Sequence, residues 1–274
     1  MGTIRQFYGG TGVPLLIEGD VDDPASAWRT HRARIRAWLD SVPESDWSGP
    51  TRCGLWDMTS LVRHMASASQ FLGYTLHESA SGTPTRLLRG FDTHETVQAA
   101  AAMLGDMTPG AARDVLAPRN AAVDTEIANM SEAGWSELAE APPGQLPAHL
   151  AVSHFLFDSW VHEYDLMVPR GERPEVDPLE TEVVVLYLVG LASVTSDVAT
   201  PLDIQLTDPD LRIGVKVVHG TVEVMVGSVP SSAAVIEGHV VDLVDRTTGR
   251  EAGPVRGDAL GLAVLDGFAE LLAG

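Results

Sequence analysis

The segment at residues 155–166, FLFDSWVHEYDL, constrains the fold most because it places ionisable side chains inside a mostly apolar run. Asp158 and His162 stand four positions apart, so a helix puts both on one face, one turn from each other. A carboxylate or imidazole buried among Phe and Trp side chains loses its hydration and needs a partner charge, a hydrogen bond or a cation. The spacing therefore predicts a polar site, suited to a metal, inside a helical core.

An upstream segment, LWDMTSLVRHMASASQFLGYTL, offers a third donor in His64. Apolar residues recur around His64 at spacings of three and four, which directs the imidazole toward the same core. Two imidazoles and one carboxylate leave a fourth position open, as catalytic zinc sites do. Spacing alone leaves two alternatives. In one, His64 is an ordinary core histidine and Asp158 caps a helix or pairs with an arginine; in the other, His154 closes the site as a fourth ligand.

Composition limits the partners of the chain. Of its 274 residues, 45% are hydrophobic and 20% charged, as in globular proteins, and the formal net charge is −20. Such a surface repels phosphate backbones and anionic lipid heads, so we expect neither a nucleic acid nor a membrane partner. Cys53 is the single cysteine and is interpreted as a half-buried structural residue. The sequence shows no apolar leader and no membrane span, which predicts a cytoplasmic protein.

Helix signals predict a four-helix bundle in the N-terminal part of the chain. Residues 1–22 are expected to form an irregular arm because glycines and Pro14 interrupt any period. Residues 23–199 are predicted to hold four main amphipathic helices and a broadly apolar helix over 179–199 that packs on both sides. The run APPGQLP is predicted to be a loop, and Pro118 to kink its helix. Helix starts are predicted near Asp23, Asp57, Thr93, Thr108 and Pro147.

From residue 200 the hydrophobic pattern changes from a helical period to strict alternation. The runs LDIQLTD, LRIGVKVVHG and TVEVMVG predict an antiparallel meander. Two further runs, AAVIEGHVVDLVDRTTGR and GPVRGDALGLAVLDGFAELLAG, each predict a short strand followed by a helix. Residues 200–274 are therefore predicted to be a small α+β domain behind the helical one.

Two segments, CGLWDMTSLVRHMAS and DSWVHEYDL, together resemble the mycothiol-dependent maleylpyruvate isomerase family. The run LRGFDTHETVQAA is similar to the linker and third-helix start of many actinobacterial members. AVIEGHVVDLVDRTTGR and VRGDALGLAVLDGF are similar to the sterol-carrier-like α+β domain that these proteins append. The resemblance covers most of the chain and implies a DinB-like bundle as the N-terminal domain.

In that family a divalent metal, usually zinc, is held by a His in the second helix and a Glu-x-x-x-His pair in the fourth. The resemblance places these roles on His64, Asp158 and His162. Asp158 departs from the family pattern because its arm is one methylene shorter than that of Glu, which leaves zinc, nickel and iron open. The resemblance also implies mycothiol as co-substrate and an arginine that grips an anionic substrate. Arg250, with Arg246 behind it, is the best candidate; the alternative for Arg250 is an exposed arginine at a helix end.

The leading functional hypothesis is a mycothiol-dependent S-transferase, in which the metal holds the thiol as thiolate for conjugation to, or exchange on, a small electrophile. The close alternative is a maleylpyruvate-type cis-trans isomerase. A second alternative is a non-catalytic module that binds a hydrophobic ligand on its C-terminal sheet. A third is an enzyme that hydrolyses its substrate with metal-bound water and with Glu163 or Asp165 as the base. Trp56 and Trp160 are predicted to be core anchors beside the candidate ligands. Asp165 is predicted to form a hydrogen bond with one of these ligands. Expected partners are the electrophile and a low-molecular-weight thiol, with monomer and homodimer both open.

Overall fold

The computed structural model describes residues 4–20, 23–54 and 56–273 of the chain. These residues form a mixed helix and sheet protein, as predicted. The helices are α1 (Asp23–Ser41), α2 (Met58–Ala80), α3 (Glu95–Ala102), α4 (Pro109–Asn129), α5 (Ala148–Met167), α6 (Pro178–Thr195), α7 (Val240–Thr247) and α8 (Ala259–Ala273). The strands are β1 (Leu15–Ile17), β2 (Leu138–Ala141), β3 (Gly144–Pro147), β4 (Leu202–Thr207), β5 (Leu211–Val218), β6 (Thr221–Val226), β7 (Ala234–His239) and β8 (Arg256–Gly257).

Local interactions explain where helix α2 begins and where helix α3 begins and ends. The Asp57 carboxylate accepts a hydrogen bond from the Ser60 backbone N–H at 2.8 Å, which is the predicted N-cap of α2. Helix α3 is shorter than the predicted helix from Thr93. The Asp92 side chain binds the first free N–H groups and delays its start, and Gly105, at φ +73°, turns the chain after its end.

Four of the helices, α1, α2, α4 and α5, pack on one another in pairs. Helix α2 packs against α4 and α5, and α1 packs against α5 and α4. On α2 the apolar stripe of Leu61, Met65 and Leu72 is fully buried. Helix α5 is buried almost all round, as its apolar composition predicts. His64 on α2 therefore faces the ionisable side chains of α5 across the helix interface.

Helix α6 lies between the other helices and the sheet. It packs on α1 and α5 on one side and on β1, β5 and β6 on the other, which confirms the predicted two-sided packing. A Cβ at Gly190 would lie 2.6 Å from Leu15 Cδ1, so glycine allows this close approach. The helix ends at Thr195 rather than near 199 because Ser196 adopts an extended conformation. Among the described helices, α6 alone is long and apolar enough to cross a membrane. Of that stretch, 72% is buried inside the protein.

The six-stranded sheet has the order β1-β6-β5-β4-β7-β8. Strands β4, β5 and β6 form the predicted antiparallel meander, and each of the two C-terminal runs gives a strand followed by a helix. Strand β7 runs parallel to β4. Helices α6 and α8 pack against this sheet. The apolar sheet face proposed for a hydrophobic ligand is therefore covered by helices.

Two short pairings correct the sequence predictions. The predicted irregular arm contains β1, which pairs in parallel with β6 through Leu16 opposite Glu223. The run predicted as a loop contains β3, which pairs with β2, and the backbone of Phe7 braces their turn by bonding Pro143 and Gln145. The first pairing joins strands about two hundred residues apart, and the second is a local hairpin whose support from Phe7 comes from far away in the sequence. The arm residues at 1–3 and 21–22 lie outside the described residues.

A buried charge cluster joins α1, α5 and α6. The Arg34 Nη2 atom lies 2.7 Å from Glu163 Oε2 and 2.6 Å from Glu180 Oε2, and both glutamate side chains are at most 1% exposed. His31, also fully buried, lies 2.7 Å from the Ser159 hydroxyl and 3.1 Å from the same Arg34 nitrogen. One guanidinium therefore bridges two buried carboxylates at the junction of three helices.

Acid is expected to destabilise this cluster through His31. Burial lowers the pKa of His31 to about 3 from its ordinary value of 6.5. Between these two values the unfolded chain binds a proton that the folded chain does not. The free energy of unfolding should therefore fall as pH drops below 6.5, by up to about 1.4 kcal/mol per pH unit. Urea unfolding of metal-stripped protein between pH 7 and pH 4 measures this slope.

In His31→Gln the unfolding free energy should change less steeply with pH. The slope should be lower by about 1.4 kcal/mol per pH unit, the contribution of one proton, because the titrating imidazole is gone. His77→Gln, on an exposed side chain, is the control and should keep the parent slope. A parent slope retained in His31→Gln would contradict the buried neutral imidazole.

Candidate metal centre

The three predicted ligands meet between α2 and α5. The Nε2 atoms of His64 and His162 lie 3.4 Å and 3.5 Å from the same Asp158 oxygen, Oδ1. The two imidazole rings are 4.9 Å apart in an edge arrangement. One donor atom from each residue lies within 4.8 Å of the other two.

These separations fit a shared cation better than hydrogen bonds. Two metal–ligand bonds of about 2.1 Å at a tetrahedral angle place their donor atoms about 3.4 Å apart, whereas N–H···O hydrogen bonds cluster at about 2.9 Å. Asp158 Oδ2 and His64 Nδ1 are also buried without a hydrogen-bond partner among the described residues. The donor set of two imidazoles and one carboxylate, with unsatisfied polar atoms beside it, suits a divalent metal.

The charges at the site are strongly coupled. Burial by itself favours the neutral form of Asp158, but the imidazoles of His64 and His162 hold its pKa well below its usual range. Burial likewise opposes the charge on His162, yet the Asp158 carboxylate holds the pKa of that imidazole well above its usual value. A metal that binds His162 would therefore compete with a proton for the ring nitrogen that faces Asp158.

Asp165 orients the candidate ligand His162 through its other ring nitrogen. Its Oδ2 atom lies 2.9 Å from His162 Nδ1, so the other ring nitrogen is left to face Asp158. The same carboxylate accepts hydrogen bonds from Arg52 Nε at 2.9 Å, from Arg250 Nη2 at 2.6 Å and from the Cys53 thiol at 3.1 Å. Although burial opposes it, the hydrogen bonds of His162 and Arg250 hold the pKa of Asp165 far below its usual range. This contact confirms the predicted hydrogen-bond role.

A second donor group, made of Cys53, His162 and Asp165, is less suited to a cation. Its donor atoms also lie within 4.8 Å of one another. The carboxylate of Asp165, however, is already paired with the guanidinium groups of Arg52 and Arg250. Two positive charges at this carboxylate repel a cation, so the group with Asp158 is the better site.

Replacing Asp165 with asparagine is expected to weaken metal binding by about 10–100-fold, because the anion that orients His162 is lost. Competition with a chromophoric chelator measures the dissociation constant. Asp266→Asn is the matched control, since Asp266 forms a similar two-bond pair with Arg246 away from the site. Equal affinities in the parent and Asp165→Asn would contradict this role of Asp165.

The candidate ligands open onto a cavity of about 310 Å³. Among its lining residues are Cys53, Trp56, His154 and Arg250 together with the three ligands. Further walls come from the segment at 91–98, from α5 and α6, and from Phe268 and Leu272 on α8. The cavity therefore lies where the helical part meets the C-terminal part of the chain.

Arg250 is a partly buried cavity residue, so its interpretation as an exposed helix-end arginine is wrong. Its side chain is 18% exposed and is fixed by Asp165 and by the Thr248 carbonyl, which accepts from Nη1 at 2.9 Å. Arg246 pairs with Asp266 and is not among the cavity-lining residues. The structure therefore brings Arg250, and not Arg246, to the predicted ligands.

Cys53 is the cavity residue whose position the sequence interpretation missed. Its Sγ atom lies 3.8 Å from His162 Nδ1 and 3.9 Å from Arg250 Nη2. The single sequence signal was its place just ahead of the helix that carries His64. Contacts with a residue nearly two hundred positions later cannot be inferred from that.

The remaining predicted residues divide between the cavity and the core. The Trp56 ring lies 5.1 Å from that of His64, whereas Trp160 packs on Tyr164 at 4.4 Å and does not line the cavity. His154 lines the cavity, and its Nδ1 lies 2.9 Å from the Tyr187 hydroxyl. Among the described residues the three-donor groups do not include His154. Glu163 is held by Arg34, so it is not placed to act as a base here.

The fold and the donor cluster define a class of helical proteins that hold metal-ligating side chains between two helices and append a small sheet. Residues 28–167, just over half of the chain, match the family model described as the mycothiol maleylpyruvate isomerase N-terminal domain. The chain belongs to this family, whose structural relatives are enzymes.

Two solved structures share this fold. A histidine-to-alanine variant of the mycothiol-dependent maleylpyruvate isomerase is 17% identical, with a TM-score of 0.62. The unmodified mycothiol-dependent maleylpyruvate isomerase is 18% identical, with a TM-score of 0.60. Each match covers 88% of this chain and 93% of the other. A comparison with curated protein sequences finds no match.

Proposed function

We propose that this protein is a metal-dependent enzyme that uses mycothiol as its co-substrate. The observation that carries the proposal is the convergence of His64, Asp158 and His162 at a separation suited to one tetrahedral ion, beside a cavity of about 310 Å³. When bound there, a divalent metal, with zinc as the first candidate, supplies a Lewis acid that favours the thiolate form of a thiol.

The side chains of this chain supply binding and orientation. Asp165 fixes the ring of His162, and the tilted Trp56 ring lies beside both imidazoles, 5.1 Å from His64 and 6.5 Å from His162. Arg250 is held rigidly at the cavity wall, so it is placed to donate to a carboxylate of the substrate. The apolar walls keep bulk water away from the thiolate, which strengthens each electrostatic contact.

Two reactions share this chemistry. A thiolate adds to an activated double bond, the resulting single bond rotates, and loss of the thiolate regenerates the bond in the other geometry. If the C–S bond persists and a proton quenches the carbanion, the result is transfer. The sequence alone favoured the transferase; because the family match supports the isomerase, we propose the isomerase first and the transferase second. Return or consumption of the free thiol, followed with a thiol reagent, separates the two reactions.

The parts of the fold are assigned within the same proposal. The helices up to residue 199 that surround the ligands, α1, α2, α4 and α5, are proposed to be a DinB-like four-helix bundle. Residues 200–274, with α6 and β1 packed on them, are proposed to be a sterol-carrier-like unit. The helix pairing, and the sheet covered by helices, support these assignments.

Metal analysis and thiol titration test the proposal. Protein purified without chelator is expected to carry one metal per chain. After substitution with Co²⁺, mycothiol should produce the ultraviolet charge-transfer band of a cobalt-bound thiolate, and S-methylated mycothiol should not. A chain that binds no metal, or a metal that ignores the thiol, would overturn the proposal.

A further inference from the structure

Arg32 on α1 carries a buried guanidinium whose nitrogen atoms have no hydrogen-bond partner. The residue is 4% exposed, and its Nε, Nη1 and Nη2 atoms are all buried and unpartnered among the described residues. The guanidinium carbon lies 4.1 Å from the centre of the Trp28 ring, a contact that covers one face of the group. Burying a charge without hydrogen bonds is costly, so an acceptor for these N–H donors is expected nearby.

The carboxylate of Asp158 is the acceptor that the packing favours. Helix α1 packs on α5, and at this interface His31 Nε2 lies 2.7 Å from the Ser159 hydroxyl. These two residues are the chain neighbours of Arg32 and Asp158. Burial lowers the pKa of Arg32 to about 10 from its ordinary value of 12.5, and among the carboxylates that oppose this change Asp158 acts most strongly. Arg32 and Asp158 therefore interact as charges across the α1–α5 interface.

Two other carboxylates compete for Arg32. Asp124 on α4 and Glu163 on α5 also oppose the lowering of its pKa, but less than Asp158 does. Glu163 is already held by Arg34, whose Nη2 donates to it at 2.7 Å. Asp124 is partly exposed, so water can satisfy part of its carboxylate. Of the three acceptors, Asp158 is therefore the one most in need of a buried donor.

The two oxygens of Asp158 have different surroundings. Oδ1 lies 3.4 Å and 3.5 Å from the Nε2 atoms of His64 and His162, whereas Oδ2 is buried without a hydrogen-bond partner among the described residues. A metal held by the imidazoles therefore meets Oδ1 first. Carboxylates that ligate a metal are themselves hydrogen-bonded by neighbouring groups. Oδ2 lacks such a donor and Arg32 lacks an acceptor, so the two groups complement each other.

We infer that Arg32 is a positioning residue for the candidate ligand Asp158: it donates to Oδ2, directly or through one ordered water, and leaves Oδ1 alone to the metal. This inference rests on the metal centre of the proposed function. Ligation by a single oxygen preserves the open fourth position, whereas a carboxylate bound through both oxygens fills it.

The charge of Arg32 is compatible with a metal at this place. Asp165 is bound directly by two guanidinium groups, but the ion pairs of Asp158 among the described residues are with the two imidazoles. Because Coulomb repulsion falls with distance, one cation beyond direct contact opposes the metal less than two in contact do.

The visible spectrum of the cobalt-loaded protein tests this role. Four-coordinate Co²⁺ absorbs visible light more strongly than five-coordinate Co²⁺, so the molar absorptivity reports whether one or both oxygens of Asp158 are bound. Without Arg32, Oδ2 is free to join the metal, and Arg32→Met should lower the absorptivity by about half. Arg32→Lys retains N–H donors at the end of a long stem and should keep most of the parent absorptivity.

Arg36→Met is the matched control, because Arg36 lies one turn later on α1 and its side chain is 61% exposed. Its cobalt spectrum should match that of the parent. A merely structural role of Arg32 would lower the melting temperature of Arg32→Met and leave the absorptivity of the folded, cobalt-loaded variant unchanged. Unchanged absorptivity in Arg32→Met, or an equal decrease in Arg36→Met, would therefore refute the inference.

A crystal structure of the zinc-loaded parent tests the same role without any substitution. Oδ1 of Asp158 should lie about 2.0–2.2 Å from the metal, and Oδ2 should be linked to Arg32 directly or through one water. Two bound oxygens of Asp158, or an Arg32 that bonds Asp124 alone, would contradict this role.

Cobalt binding by the parent separates this inference from the proposed function. A parent that binds no cobalt overturns both. A parent that binds one cobalt per chain, with the same absorptivity in Arg32→Met, keeps the metal centre and removes only the role of Arg32.

Discussion

Replacing His162 with alanine is expected to remove stoichiometric metal binding together with the metal-dependent part of the stability. The ring supplies one of three donors, and the remaining two, His64 and Asp158, do not enclose an ion. A metal that binds only the folded state adds about 4 kcal/mol to the free energy of unfolding when its free concentration is a thousand times the dissociation constant. Metal content by mass spectrometry, and melting temperature with and without metal, measure both effects.

His94→Gln is the matched control for this experiment. His94 lines the same cavity but is exposed and lies outside the donor group, so metal content and the melting shift should match the parent. His154→Gln examines the alternative fourth ligand and should also retain the metal, because His154 is bonded to Tyr187. One metal per chain in His162→Ala would refute the site.

Replacing Arg34 with methionine is expected to destabilise the protein by about 3–5 kcal/mol. The substitution keeps much of the aliphatic stem but removes the cation shared by Glu163 and Glu180, both at most 1% exposed. Burial already raises the pKa of Glu180 with Arg34 present, so an unpaired carboxylate there is costly. Chemical unfolding at pH 7 gives the loss. The deficit should shrink at lower pH, since protonated carboxyl groups no longer need the cation.

Arg36→Met serves as the control on the same helix. Arg36 is 61% exposed and lies 3.9 Å from Asp40, an arrangement that contributes at most about 1 kcal/mol. Adding Glu163→Gln and Glu180→Gln to Arg34→Met should restore part of the stability, because the unpaired charges are gone. A loss in Arg34→Met no larger than that in Arg36→Met would show that the cluster does not stabilise the fold.

The parts of the fold that local chemistry determines were predictable from sequence. The cap at Asp57, the apolar stripe of α2 and the alternation of β4, β5 and β6 are all local signals, and each gave the correct element. Strand β1 was missed because three residues carry no period, and their strand partner, β6, comes some two hundred residues later. The β2–β3 hairpin was missed because LAEA and GQLP lack β-branched residues and rely on Phe7 for support.

The candidate site divides in the same way. His64, Asp158 and His162 were found because helix periodicity fixes the face on which each lies. Cys53 and Arg52 lie in an irregular stretch, and Arg250 follows the end of α7, so their meeting at Asp165 depends on tertiary packing that no local pattern encodes. The resemblance to a family supplied Arg250 as a candidate, but its ion pair with Asp165 became visible only in three dimensions.

Because β1 pairs with β6, residues 200–274 are unsuited to transfer between proteins as a separate domain. A fragment that starts at Leu202 keeps the remaining strands but lacks β1 and α6. One edge of β6 and the hydrocarbon face under α6 would then meet water, and exposed edges and apolar patches promote aggregation. On the ribosome, β1 is made long before its partner, so the β1–β6 pair can form only after residue 226 has emerged. Chimeras in this family should therefore exchange β1 and α6 along with the sheet.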